Sequence, residues 1–205
     1  RTMSKSKGIL VDPQEVIDEY GVDPMRAFLL SQNPQGSDMK FSWDGMDNVS
    51  RDLNILWNVF RFPLPYMEMD DFQPGEVDLT DLDTHLVDDW VLARLQSVIG
   101  EMTEHWEARR SDKALDALLS FVVDDVSRFY VQAVRERVWA EGDSEGKLAA
   151  YATIYEVLHE VVALLAPYAP VIADEMYGTL TGDGGFDTVH MRYWPTVDET
   201  WLDEA

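Results

Sequence analysis

Through four long stretches of this chain, apolar residues recur at steps of three and four, and prolines or glycines end three of the four. That period sets the apolar side chains on one stripe of a helix, which must be buried against other such stripes. Met46, Val49, Leu53, Leu56 and Phe60 mark the first, predicting a helix over 46–62 that Pro63 and Pro65 stop. A second helix is expected over 84–107 and a third from Ser111 or Asp112 to Trp139. A fourth should run from the break at 141–146 to Leu165, ended by Pro167 and Pro170, with a short fifth around 171–180. Long helices with short connections predict a mainly α fold, an antiparallel helical bundle. Hydrophobic residues make up 46% of the 205, enough to give such a bundle a substantial core.

The first 45 residues read differently. Residues 1–8 are polar, basic and glycine-ended, as in a loop. Asp12-Pro13 and Asp23-Pro24 each put a capping carboxylate before a proline, so a short helix should follow each. Asn33 to Ser37 is turn chemistry, and Met39 to Trp43 reads as a short strand or an extended connector. The expected organisation is a small mixed unit over 1–45, the bundle over 46–182 and an extended tail over 183–205. Arg1 in place of Met is read as a start inside a longer protein. No apolar run is expected to reach bilayer-spanning length, so a membrane partner is not expected. The chain has no cysteine, which removes disulfides and thiolate metal sites and fits a reducing cytoplasm.

Charge decides between classes of partner. There are 39 Asp and Glu against 16 Lys and Arg, a formal net charge of -23. In dilute salt such a surface repels nucleic acid. The acids are spread through nearly every segment, however, and the five lysines are outnumbered by eleven arginines. That is the pattern of a chain hydrated in concentrated salt, where the Debye length falls to roughly 3 Å at about 1 M. A halophilic source is expected, with an ordinary acidic surface as the alternative.

Two stripes of basic and amide residues stand out against this background. Arg51, Asn54, Asn58 and Arg61 share one face of the first helix, bordered by Trp57, and Arg128, Gln132, Arg135 and Trp139 share one face of the third. Guanidinium and amide groups suit phosphate or base-edge contacts, and an indole gives a base a stacking surface. Ordinary solvated faces explain either stripe equally well. On the third helix, Leu115, Leu118, Leu119, Val122, Val126, Phe129 and Ala133 are expected in the core, with Arg137 near them in a buried ion pair. The loop Met3-Ser4-Lys5-Ser6 offers hydroxyls and a cation suited to a polyphosphate, although a solvated linker looks the same. His85, His105, His159 and His190 lack metal-ligand spacing, and no metal site is expected. The pairs Asp70-Asp71, Asp88-Asp89 and Asp124-Asp125 read as solvated acid.

Taken in order, these pieces resemble the class I aminoacyl-tRNA synthetases. Met3-Ser4-Lys5-Ser6 is similar to that family's Lys-Met-Ser-Lys-Ser loop, with Thr2 where the first lysine usually stands. Tyr20-Gly21-Val22-Asp23-Pro24-Met25-Arg26 and Phe41-Ser42 resemble the small contact fold that joins catalytic domain to bundle. Leu53-Asn54-Ile55-Leu56-Trp57-Asn58 and Phe129-Tyr130-Val131-Gln132 are similar to bundle helices of the isoleucine, valine and leucine subgroup. Leu164-Leu165-Ala166-Pro167-Tyr168-Ala169-Pro170 and His190-Met191-Arg192-Tyr193-Trp194-Pro195 resemble its bundle corner and tail. Ser50-Arg51-Asp52-Leu53-Asn54 and Ser127-Arg128-Phe129-Tyr130-Val131 look most like the isoleucine branch.

The resemblance implies a class I synthetase anticodon-binding domain preceded by a small mixed contact fold. In the whole enzyme it implies ATP with Mg2+, bound in part by Met3, Ser4, Lys5 and Ser6, with Lys5 stabilising the transition-state phosphate charge. It also implies tRNA, the isoleucine tRNA in this branch, held by Arg51, Asn54, Trp57, Asn58, Arg61, Arg128, Gln132, Arg135 and Trp139. A cytoplasmic monomer is expected. The segment alone, lacking the nucleotide-binding fold, is expected to bind no cofactor and catalyse nothing. A valine or leucine enzyme, a non-catalytic helical RNA-binding module and a purely structural bundle remain the alternatives.

Overall fold

Asp12 opens the first helix: its carboxylate accepts from the Gln14 N–H at 2.9 Å, and α1 runs Pro13–Tyr20. The coordinates are a computed structural model that describes residues 11–32, 34, 36–142, 144–182 and 187–202. Helix α2 (Val22–Ser31) follows Gly21, whose φ of 91° makes the sharp turn that glycine tolerates best. Asp23 does not cap this helix. Its carboxylate, only 4% exposed, accepts from Val171 N–H at 3.4 Å and Ile172 N–H at 2.6 Å, in the first turn of α9 (Pro170–Thr181). A buried carboxylate gains more from those orphan amides and the positive end of α9 than from its own solvated turn.

Ser42 caps α3 (Trp43–Arg61), accepting from Gly45 N–H at 3.2 Å. Trp43 is therefore helical, and no strand forms among the described residues of the first 45. The described residues of this part are helices joined by turns and an extended connector before Trp43. Gly45 lets α3 sit against α2, since a Cβ there would lie 2.6 Å from Cε2 of Phe28. Beyond Pro63 the chain makes a short α4 (Leu64–Met69) and single 3-10 turns over Pro74–Glu76 and Leu79–Asp81. Helix α5 is Leu86–Glu107.

The expected third helix is continuous to Trp139 but is not regular. Helix α6 (Ser111–Ser120) passes into a wide-turn segment, Phe121–Tyr130, and then into α7 (Val131–Trp139). The Val131 N–H bonds to the carbonyl of Val126, five residues back. Wider turns keep a stripe at steps of four, Leu118, Val122, Val126, Tyr130, Val134 and Val138, facing the core, and all six are buried. At 3.6 residues per turn such a stripe would drift away. Phe129 and Ala133 accordingly lie exposed, contrary to the sequence expectation.

Ser144 caps α8 (Glu145–Leu165) by accepting from the Lys147 N–H. By length and composition α8 is apolar enough to cross a membrane, which sequence reading had not anticipated. Its apolar faces are instead consumed by packing: Ile154, Val157, Leu158, Val161, Val162, Leu164 and Leu165 are all buried. The tail is less extended than expected, with 3-10 turns at Val189–Met191 and Glu199–Trp201. It lies on the bundle, Trp194 Nε1 donating to Thr103 Oγ1 at 2.9 Å and the Asp198 N–H to Gln96 at 2.8 Å. One hydrophobic core runs through everything described, from Val16 and Phe28 in the first two helices to Val189 in the tail.

Candidate nucleic-acid interface

On α3 the buried positions Leu53, Leu56, Val59 and Phe60 leave the opposite face to water. Arg51, Asn54, Asn58 and Arg61 are all exposed on that face, as the period predicts. Arg51 turns its guanidinium to neighbouring Asp52, Nη2 to Oδ1 at 3.1 Å, a surface pair worth at most about 1 kcal/mol and easily exchanged for another anion. Trp57 sits differently. It is half-buried, packs against the core and lies 5.5 Å from the Phe60 ring, so it supports the face rather than presenting itself on it.

The second stripe begins in the wide-turn segment. Arg128 is paired with Asp124 one turn earlier, both of them exposed. Gln132 and Trp139 are exposed, and the Arg135 guanidinium lies 5.1 Å from the centroid of the Trp139 ring. The stack sets a planar cation against an indole that is 51% exposed, worth about 0.5–1 kcal/mol at an exposed site. Arg135 Nε is buried without a hydrogen-bond partner. A nucleobase stacked on this assembly, or a phosphate oxygen at the guanidinium edge, would find a surface already formed. The change of phase adds Phe129, 52% exposed and edge-on to Trp90 at 4.8 Å. Sequence reasoning placed this ring in the core; the run of four-residue steps ending in Tyr130, Val134 and Val138 was the signal that could have moved it out.

Arg137 is not part of this surface. Its two terminal nitrogens reach Asp88 at 2.6 and 2.8 Å, and the Tyr130 hydroxyl donates to the same carboxylate at 2.8 Å. Burial works against the Arg137 charge, but the Asp88 bond and charge outweigh it and raise its pKa. Burial, and then Asp88, push the Tyr130 hydroxyl well above the ordinary phenol range.

One carboxylate of each acidic doublet supplies structural contacts, whereas Asp71 and Asp124 lie exposed. Asp88 is fully buried, Asp70 meets Lys147 and the Tyr151 hydroxyl, and Asp125 meets Arg94 at 3.0 Å. Arg110, Arg137, Lys147 and Arg192, all with side chains largely removed from water, each meet a carboxylate. His159 is stacked between Tyr155 and Tyr177, with ring centroids 5.7 and 5.9 Å away. Met3, Ser4, Lys5 and Ser6 lie outside the described residues.

A helical bundle that carries two basic stripes, with a short helical unit locked to its corner, is an architecture seen in class I tRNA ligases. The chain is similar over 98% of its length to a LeuRS from Agrobacterium radiobacter K84 solved in ternary complex with tRNA and LeuAMS, with a TM-score of 0.75 and 24% identity; it covers 23% of that chain. The chain belongs to the family described as the anticodon-binding domain of tRNA ligase, which it matches over residues 88–205. Residues 1–58 match the family described as tRNA synthetases class I (M). It is 65% identical over 203 residues to an isoleucine-tRNA ligase of Natronomonas pharaonis and 59% identical over 210 residues to that of Halobacterium salinarum. These alignments take in 99% and 98% of the chain but only 19% and 20% of the relatives. The halophilic archaeal relatives agree with the salt-adapted composition.

Proposed function

We propose that this chain is the end of the ATP-binding loop, the contact unit and the anticodon-binding bundle of an isoleucine-tRNA ligase. The observation that carries the reading is the 65% identity across almost the whole chain to a relative of that name. The proposed reaction activates isoleucine with ATP and then passes the acyl group to the isoleucine tRNA in the cytoplasm. ATP and Mg2+ belong to the larger enzyme. This chain contributes Lys5, which meets charge developing between the α- and β-phosphates, and Met3, Ser4 and Ser6, which hold the loop around them. A contact made chiefly in the transition state accelerates the step rather than merely tightening binding.

The bundle's share is to hold the anticodon stem and loop through Arg51, Asn54, Asn58 and Arg61 on α3 and Arg128, Gln132, Arg135 and Trp139 on the 111–139 helix. Trp57 backs the first stripe, and Phe129 joins the second. Residues 1–45 act as the contact unit and 46–182 as the bundle of a monomeric enzyme; Asp23 and the shared core tie the two together. The chain alone binds tRNA and catalyses nothing. The test is aminoacylation by the whole enzyme with Lys5→Ala: a loss of about 100-fold or more in kcat with tRNA affinity unchanged is expected. Unchanged kcat would remove Lys5 from the reaction.

A further inference from the structure

A cavity of about 350 Å3 opens where Arg26 of α2 meets the corner at Pro167 and Pro170 and the tail at His190 to Trp194. Among the described residues, no carboxylate lines it. In a chain of net charge -23 that is a reversal of sign. Three other cavities among the described residues carry acids: Glu76, Asp78 and Glu156 in one, Glu160 and Asp198 in the second, Asp70 and Glu145 in the third.

Its cations are not equivalent. Arg192 is neutralised, one terminal nitrogen on Glu160 at 2.6 Å and the other on the His159 carbonyl at 2.7 Å. His190 is exposed, and its nearby carboxylate, Asp174, is already committed to Thr188 Oγ1 and to the Val189 N–H. Arg26 donates through Nε to the Pro167 carbonyl at 3.1 Å and makes no ion pair among the described residues. That bond uses the inner edge of the guanidinium and leaves its terminal nitrogens as a fork, the geometry that takes a phosphate by two parallel bonds.

Beside this fork stands Tyr193, 90% exposed. Its neighbours Arg192 and Trp194 are both anchored to the bundle by side-chain hydrogen bonds. The backbone is therefore held while the ring projects into solvent, so a base stacking on it meets a pre-positioned platform.

We infer that this cavity is a second RNA-binding site, separate from the two stripes, which takes a backbone phosphate on Arg26 and stacks the adjoining base on Tyr193. The inference rests on the tRNA-binding reading above. The acid-free lining in a chain of net charge -23, with an exposed ring beside it, favours the phosphate and base of RNA.

The test is equilibrium binding of the 205-residue chain, in about 1–3 M KCl, to a whole isoleucine tRNA transcript and to its isolated anticodon stem-loop. Tyr193→Ala and Arg26→Ala should each weaken whole-tRNA binding by about ten-fold and leave stem-loop binding unchanged. Arg135→Ala should weaken both ligands. Whole-tRNA binding unaffected by either cavity variant, with Arg135→Ala still effective, would overturn the second site and leave the stripes standing. Cavity variants that spare RNA binding but weaken docking of the separately expressed catalytic domain would overturn it in favour of a protein joint. Failure of the unaltered chain to bind either RNA would overturn the RNA reading itself. Circular dichroism of each variant separates these results from misfolding.

Discussion

Arg137 and Asp88 face each other across the bundle through two parallel contacts of 2.6 and 2.8 Å, one partner fully buried and the other nearly so. The same Asp88 carboxylate accepts from the His85 N–H at 3.0 Å, so a single side chain closes the start of α5 and ties it to the end of the 111–139 helix. Removing one partner strands a charge in the core. Asp88→Asn or Arg137→Met is expected to cost about 3–5 kcal/mol in urea unfolding at high salt. The double variant Asp88→Leu with Arg137→Met should recover only part of that loss: the apolar pair needs no desolvation, but the Tyr130 hydroxyl and the His85 N–H lose their acceptor.

Among the described residues, five carboxylates are held below their ordinary pKa, Asp78 among them through the hydrogen bonds it accepts from Thr80. Thr188 does so for Asp174, Arg110 for Asp112 and Lys147 for Asp70; at Glu160 burial pulls the other way, but His159 and Arg192 prevail. A depressed folded pKa means stability that is present above the unfolded value and lost as pH falls through the folded one. Chemical unfolding in concentrated KCl should therefore show stability flat from about pH 7 to 5 and falling below about pH 4. Glu156 acts in the opposite sense: burial and then Glu160 raise its pKa, so its protonation favours the folded state and softens the start of that fall.

Salt should stabilise the chain rather than weaken it. Even if all 16 basic residues were paired one to one, 39 - 16 = 23 carboxylates would have no basic partner. Thermal melts should rise steadily between about 0.1 and 2 M KCl as self-repulsion is screened. A melting temperature that is flat or falling over that range would mean the charge is balanced by local contacts instead.

The wide-turn segment separates Phe129 from Leu118, which the apolar period alone would place together in the core. Phe129→Ala should cost no more than about 1 kcal/mol, because the ring is half exposed, whereas Leu118→Ala should cost about 2–5 kcal/mol. Val134 and Ala133 should show the same contrast on introduction of a charged residue, Ala133→Glu being tolerated and Val134→Glu unfolding the chain.

The helices were legible in the sequence because their apolar stripes, their Ser and Asp caps and their proline stops agree with one another. Asp12 illustrates this, capping the helix that its own motif announces. Asp23 carries the same motif and does something else, since its partner lies 148 residues away and no local pattern records it. The phase of the 111–139 helix was missed for a related reason: a stripe at steps of four looks like an ordinary helix until the turns are known to widen. The basic faces were visible as spacing, but not which cations are already spoken for, with Arg128 held by Asp124 and Arg135 stacked on Trp139. The exposed Tyr193 left no signal in a tail whose other described aromatics, Trp194 and Trp201, are half-buried against the core.

The central claim is recognition of one tRNA through the two stripes. It is tested most directly by equilibrium binding of the chain, in about 1–3 M KCl, to isoleucine, valine and leucine tRNA transcripts. Tightest binding to the isoleucine tRNA is expected, weakened by Arg51→Ala and, by about ten-fold, by Arg135→Ala or Trp139→Ala. Absence of saturable binding to any of the three by the folded chain would contradict it, leaving the stripes as solvated helix faces.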